Sequence, residues 1–137
     1  MKRITSALCL VFSCFIIASR ANQSHQDTDA ISGTWTGPSI CQLKDSPCKD
    51  EVAIYHDTKL PGQKTYHFQM NKMVNGKEEE MGPLDFTYDE KTQTLTGVNN
   101  SPRGKGTWSF KITGKSMHGT LTVEKVLYRV IDLQKAN

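Results

Sequence analysis

The sequence has little surplus of charge of either sign. Its 17 basic and 14 acidic residues give a formal +3. Lys2, Arg3 and Arg20 all fall within the first 21 residues, so the remaining 116 carry 14 of each sign. A neutral domain lacks the concentration of Lys and Arg that phosphate backbones require, which excludes nucleic acid as an expected partner. Catalytic signatures are missing too. There is no Gly-x-Ser-x-Gly elbow, and Gly104-Lys105-Gly106 lacks the upstream Gly of a phosphate-binding loop. His25, His56, His67 and His118 are scattered without metal-ligand spacing. No enzyme activity, metal or cofactor is expected. Helical periodicity is also lacking beyond the N-terminal leader.

Cysteine is scarce, and its placement is informative. Cys9 and Cys14 lie in a leader that begins with basic Met1-Lys2-Arg3, continues as an apolar run from Ile4 to Ala18 and ends in small residues at Ser19 and Ala21. That layout predicts a signal peptide over 1–21, cleaved after Ala21, and hence a secreted or periplasmic protein. The run is short of the roughly 20 apolar residues of a spanning helix, so no membrane association is expected after cleavage. Cys14 as a lipoprotein cysteine is the alternative, against which the apolar run continues past it. Cys41 and Cys48 remain. Two cysteines in an exported domain, with six residues between them, predict one disulfide closing a short loop. Loop entropy assigns such a bridge roughly 2–3 kcal/mol.

Residues 22–30 are polar and aperiodic and are expected to form a disordered arm. From Ile31 onward the chain reads as β-structure. Ile31-Ser32-Gly33-Thr34-Trp35-Thr36-Gly37 is a first strand around one large ring. Tyr66, Phe68 and Met70 alternate with His67, Gln69 and Asn71. Asn75-Gly76 is the favoured pair for a type I′ hairpin, a register in which Val74 faces Lys77, Lys72 faces Glu79 and Met70 faces Met81, with a bulge at Gly82-Pro83 before Leu84, Phe86 and Tyr88. Asn99 to Gly104 reads as a loop. Gly106, Trp108, Phe110 and Ile112 then share one face, as do Met117, Gly119 and Leu121, and finally Leu127, Arg129, Ile131 and Leu133. About eight strands with short connections predict an all-β, single antiparallel up-and-down barrel over 31–137. A two-sheet β-sandwich is the alternative.

Two side-chain groups invite chemistry. His67, Met70 and Met73 have soft copper(I) donors, but alternation points Met70 away from the other two. Glu78-Glu79-Glu80 reads as a solvated hairpin tip. Asn22-Gln23-Ser24 and Asn99-Asn100-Ser101 fit the glycosylation rule, which matters only in a eukaryotic host.

Gly33-Thr34-Trp35 on the first strand and Arg129 on the last resemble the calycin group, the lipocalins and their bacterial relatives, with which the chain shares its layout from Ile31 to Leu133. The resemblance implies that Trp35 and Arg129 stack as a structural plug at one barrel end. It also implies a lipocalin-like, non-catalytic binding protein holding a small hydrophobic ligand at the barrel mouth, with Tyr66, Phe68, Met70, Phe86, Trp108, Phe110 and Met117 as lining. In size, polar arm and paired cysteines the chain is also similar to the small periplasmic inhibitors of bacterial metalloproteases. That implies the alternative of a protein-interaction module whose partner is a protease.

Overall fold

The computed structural model describes residues 29–137. Alternating β-branched and aromatic residues, broken by short turns, leave the chain one regular solution, and eight strands follow one another in order. They are β1 (Gly33–Cys41), β2 (Glu51–Lys59), β3 (Thr65–Val74), β4 (Lys77–Asp89), β5 (Thr94–Ser101), β6 (Gly104–Thr113), β7 (Ser116–Val123) and β8 (Val126–Lys135). Each pairs antiparallel with the next, and β1 pairs with β8, so the sheet closes into a barrel. Closure satisfies the backbone groups that the outer strands of an open sheet would expose. The barrel is present and the sandwich is not. The predicted signal peptide and arm residues 22–28 lie outside the described residues.

The Asn75-Gly76 turn has positive φ at both central positions, 51° and 74°, as type I′ requires. From it the register runs as expected through Asn71↔Glu80, and then shifts: Met70 pairs with Gly82, not with Met81. The bulge falls on Met81, one residue earlier than the sequence suggested. Its physical reason is the pleat. Unbroken pairing would set Pro83 opposite Phe68 and Asp85 opposite Tyr66, on the inner face. The extra residue instead brings Leu84 and Phe86 opposite them and turns Met81 out, 43% exposed. A second irregularity, between Leu121 and Thr122, leaves Tyr128 between paired positions. Ile131 and Leu133 face the core, whereas Leu127 is exposed rather than grouped with them.

The expected loop at Asn99 to Gly104 is also corrected. The β5–β6 ladder continues to Ser101↔Gly104, leaving only Pro102 and Arg103 to turn the chain. The Ser101 hydroxyl accepts the Arg103 amide and donates to the Gly104 carbonyl, which does locally what a longer loop would leave to solvent.

Inside, the barrel is filled. Phe68 and Phe86 lie 4.7 Å apart between ring centroids, Phe86 and Phe110 5.7 Å, and Tyr55 reaches Phe68 and Phe110 edge-on at 6.4 and 6.2 Å. Leu95, Met117, Ile131 and Leu133 complete the packing. Burial of each large side chain contributes about 1.5–3 kcal/mol. The rings fit because glycines stand opposite them: a Cβ on Gly97 would lie 2.9 Å from the Phe86 ring.

Candidate functional site

Eight inward-facing strands with aromatic residues at mid-height leave two ends where something can bind. One holds the Cys41–Cys48 bridge, whose Cα atoms are 5.9 Å apart. The other holds Ile31, the starts of β1, β3, β5 and β7, and the last residue of β8.

The expected ligand-lining residues do not gather in one of the recesses at the barrel ends. Phe68, Phe86, Phe110 and Met117 are fully buried core, because an eight-stranded barrel is barely wide enough for its own side chains. The remaining three separate. Tyr66 lies at the Ile31 end, Met70 backs a small slot, and Trp108 lines the mouth at the disulfide end.

The plug is also placed differently. Trp35 pairs with Lys135, and it is the Lys135 ammonium that sits 5.6 Å from the indole centroid. Arg129 pairs with Cys41, six residues along β1, and so cannot reach that ring. Its guanidinium instead donates to the Ser39 carbonyl and hydroxyl at 3.1 Å each and to the Lys49 carbonyl at 3.0 Å, with Glu51 at 3.4 Å. Arg129 therefore braces the disulfide loop at the opposite end. The family resemblance implied Trp35 as the partner of Arg129, but the β1–β8 register sets the two at different heights of the barrel.

The disulfide-end mouth has a volume of about 460 Å³. Pro47, Cys48, Met81, Leu121, Trp108 and Tyr128 supply its apolar and aromatic wall, and Lys49, Lys72, Arg103, Arg129 and Glu51 its charges. A neighbouring slot of about 120 Å³, lined by Met70, Pro83 and Leu84, shares Met81 and Trp108 with it. The bulge that turned Met81 outward thus placed it between the two recesses. One face of Trp108 stacks on Phe110, with centroids 6.4 Å apart and planes 21° apart, and its Nε1 donates to Asn99 Oδ1 at 3.2 Å.

At the other end the chain just before β1 folds over the barrel. Asp29 accepts hydrogen bonds from the Ile31 amide, the Ser32 hydroxyl and the Tyr66 hydroxyl at 3.2, 2.5 and 2.9 Å. Lys135 Nζ donates to the Ala30 carbonyl, and Trp35 Nε1 to that of Ile31. Asp29 and Ala30 therefore belong to the barrel rather than to a disordered arm. Burial alone would raise the Asp29 pKa, but the bonds from Ser32, Tyr66 and the nearby amides outweigh it and hold the carboxyl below its usual value of 3.8. A carboxylate with a depressed folded pKa stabilises the fold above its unfolded pKa and loses that effect as pH falls through the folded value. Asp29→Ala is expected to destabilise the protein by about 1–3 kcal/mol at neutral pH and by less in acid. Urea titrations at two pH values would check this, and equal loss at both would contradict the ionic role.

Beneath this clasp lies Asp57, whose strand position opposite Gly33 and Phe68 turns it inward. It is 5% exposed, and neither carboxylate oxygen has a hydrogen-bond partner. Burial, and then the charge of Asp29, push its pKa up to about 7, with the Gly33 amide and Lys135 pulling back only in part. Asp57 carried no signal in the sequence, since a single Asp in a β-run reads as an outward residue.

On the outer wall, His67 meets Asp85 at 2.7 Å and His118 meets Asp132. The His56 ring lies 2.9 Å from the Thr34 hydroxyl and 2.6 Å from Glu78. This last chain has the order of a hydroxyl–imidazole–carboxylate relay. It ties β1, β2 and the β4 hairpin together, with Asn71 as a fourth member. Among the described residues no three His, Cys, Asp or Glu side chains gather in a metal-binding group.

No protein-family model matches the chain, and no curated protein does. Among solved structures the chain is similar to a variant of the fluorescent protein UnaG, at TM-score 0.52 and 11% identity over 80% of this chain and 98% of that one. The similarity is one of fold, here a closed antiparallel barrel of eight strands in sequence order.

Proposed function

We propose that the protein is an exported, non-catalytic binding barrel that holds a small amphipathic ligand in the mouth at its disulfide end. The observation that carries this reading is Trp108, an indole packed on one side by Phe110 and lining both the mouth and the adjoining slot. Large, half-exposed aromatic rings in a concave, mixed apolar and polar setting are where small molecules bind. The ligand rests on the aromatic core rather than entering it. The leader and the Cys41–Cys48 bridge support export, since such bridges persist in oxidising compartments.

The neutral probe N-phenyl-1-naphthylamine tests the reading. It is expected to gain fluorescence on binding, and Trp108→Leu should weaken its affinity about tenfold through lost ring contact. The near-ultraviolet circular dichroism contributed by Trp35 should persist in that variant. Binding that is indifferent to Trp108→Leu would sink the site.

A further inference from the structure

We infer that the ligand of this mouth is a flat aromatic ring bearing a doubly charged oxyanion head, the chemistry of an aryl phosphate monoester. The inference deepens the proposed binding role and rests on it.

The head follows from a count of charges. Four cations, Lys49, Lys72, Arg103 and Arg129, line the mouth beside one carboxylate, Glu51. Glu51 is taken by Arg129 at 3.4 Å, and Arg129 spends its remaining reach on the Ser39 and Lys49 carbonyls. Three cations remain. Lys72 lies on the inner face of β3, two residues beyond Met70 and across the ladder from Glu79, and among the described residues neither it nor Lys49 is within ion-pair distance of a carboxylate. Arg103 uses one nitrogen to donate to the Tyr128 hydroxyl at 3.1 Å, leaving other N–H groups for a ligand. A monoanion would leave most of this positive charge uncompensated in a recess whose floor is the aromatic core. A phosphate monoester offers close to two charges and three acceptor oxygens, which suit two ammonium groups and a guanidinium fork.

The ring follows from the shape. The aromatic core closes the floor, and the recess continues into the slot of about 120 Å³ that shares Trp108 and Met81 with it. A long aliphatic tail has nowhere to run. A flat ring can lie against the indole between Met81 and Leu121, with its head toward Lys72 and Arg103.

Calorimetric titration of the whole mature protein at low salt with 1-naphthyl phosphate, 1-naphthoate, 1-naphthol and laurate tests this. Above the second phosphate ionisation, near pH ~6, the naphthyl phosphate should bind about tenfold more tightly than the naphthoate and weaken with added salt. Lys72→Gln and Arg103→Gln should each weaken it about five- to tenfold while leaving 1-naphthol unchanged, and Lys91→Gln in the turn at the other end should do nothing. Equal affinities for the three naphthyl probes, unmoved by the variants, would overturn the charged head while leaving the mouth a binding site. Preference for laurate would overturn the ring. If none binds, and N-phenyl-1-naphthylamine is indifferent to Trp108→Leu, the site itself is wrong and the inference falls with it.

Discussion

Gly37→Ala is expected to open the seam that closes the barrel, lowering stability by about 3 kcal/mol or more. A Cβ built on Gly37 falls against the carbonyl oxygen of Asp132, with the carbonyl carbon at 3.1 Å and the Leu133 Cα at 3.2 Å. All three are backbone atoms of β8, so no rotamer change can make room. Strand β1 would have to back away where Thr36↔Gln134 and Ser39↔Ile131 now hold it. Overpacking in a well-packed core costs typically 1–3 kcal/mol even when side chains can yield, and a rigid obstacle places this case at the upper end or beyond. Parting β1 from β8 would also expose two strand edges at once. Gly97→Ala is the comparison, because its obstacle is the Phe86 ring, which can shift. Guanidinium unfolding of both variants would show the difference. A Gly37→Ala protein within about 1 kcal/mol of the parent would mean that the seam has slack, and that the glycine is there for another reason.

What the sequence made legible was the periodic part. Alternation around Phe68, Phe110 and Met117, the Asn75-Gly76 turn and the spacing of Cys41 and Cys48 each report on neighbours within one hairpin or one loop, and each led to the observed structure. The misses have other causes. Met81 and Leu127 depend on bulges inside the β3–β4 and β7–β8 hairpins, which break the alternation locally, and the Arg129 pairing depends on the closing β1–β8 register, which brings together residues far apart in the chain. Likewise, inward alternation could nominate Phe86 and Phe110 but could not say whether they line a hole or fill it. That depends on the barrel's diameter and on four rings meeting at its centre. The candidate mouth was legible only through Trp108. Lys49, Lys72 and Arg103 converge there from a loop, a strand and a turn, and no local pattern marks them as a group.

Asp57→Asn is expected to stabilise the protein in mild alkali by roughly 2–4 kcal/mol and to change little in acid. The sign follows from the proton count. With a folded pKa of about 7 against the usual 3.8, the native state holds a proton that the unfolded chain has already released. Stability therefore falls as pH rises from about 4, at about 1.4 kcal/mol per unit, and levels off only above the folded value. The asparagine variant removes that slope because it has no proton to lose. Its amide is still buried, but a neutral unpaired group costs far less than an unpaired charge. The neighbours set the limits of the effect. Asp29 on the N-terminal clasp repels the ionised form, Lys135 on β8 attracts it, the Gly33 amide on β1 eases it, and Tyr66 on β3 is itself held by Asp29. Asp29 acts in the opposite sense, stabilising above pH ~4, so the two aspartates together favour the fold most just above that value. Urea midpoints of both proteins between mild acid and mild alkali would decide the matter. Curves that stay parallel across the range would mean that Asp57 is solvated or paired in solution. Because Asp57 lies at the end of the barrel away from Trp108, its substitution should leave N-phenyl-1-naphthylamine affinity unchanged wherever both proteins are folded. A change there would mean that the two ends are coupled through the aromatic core that separates them.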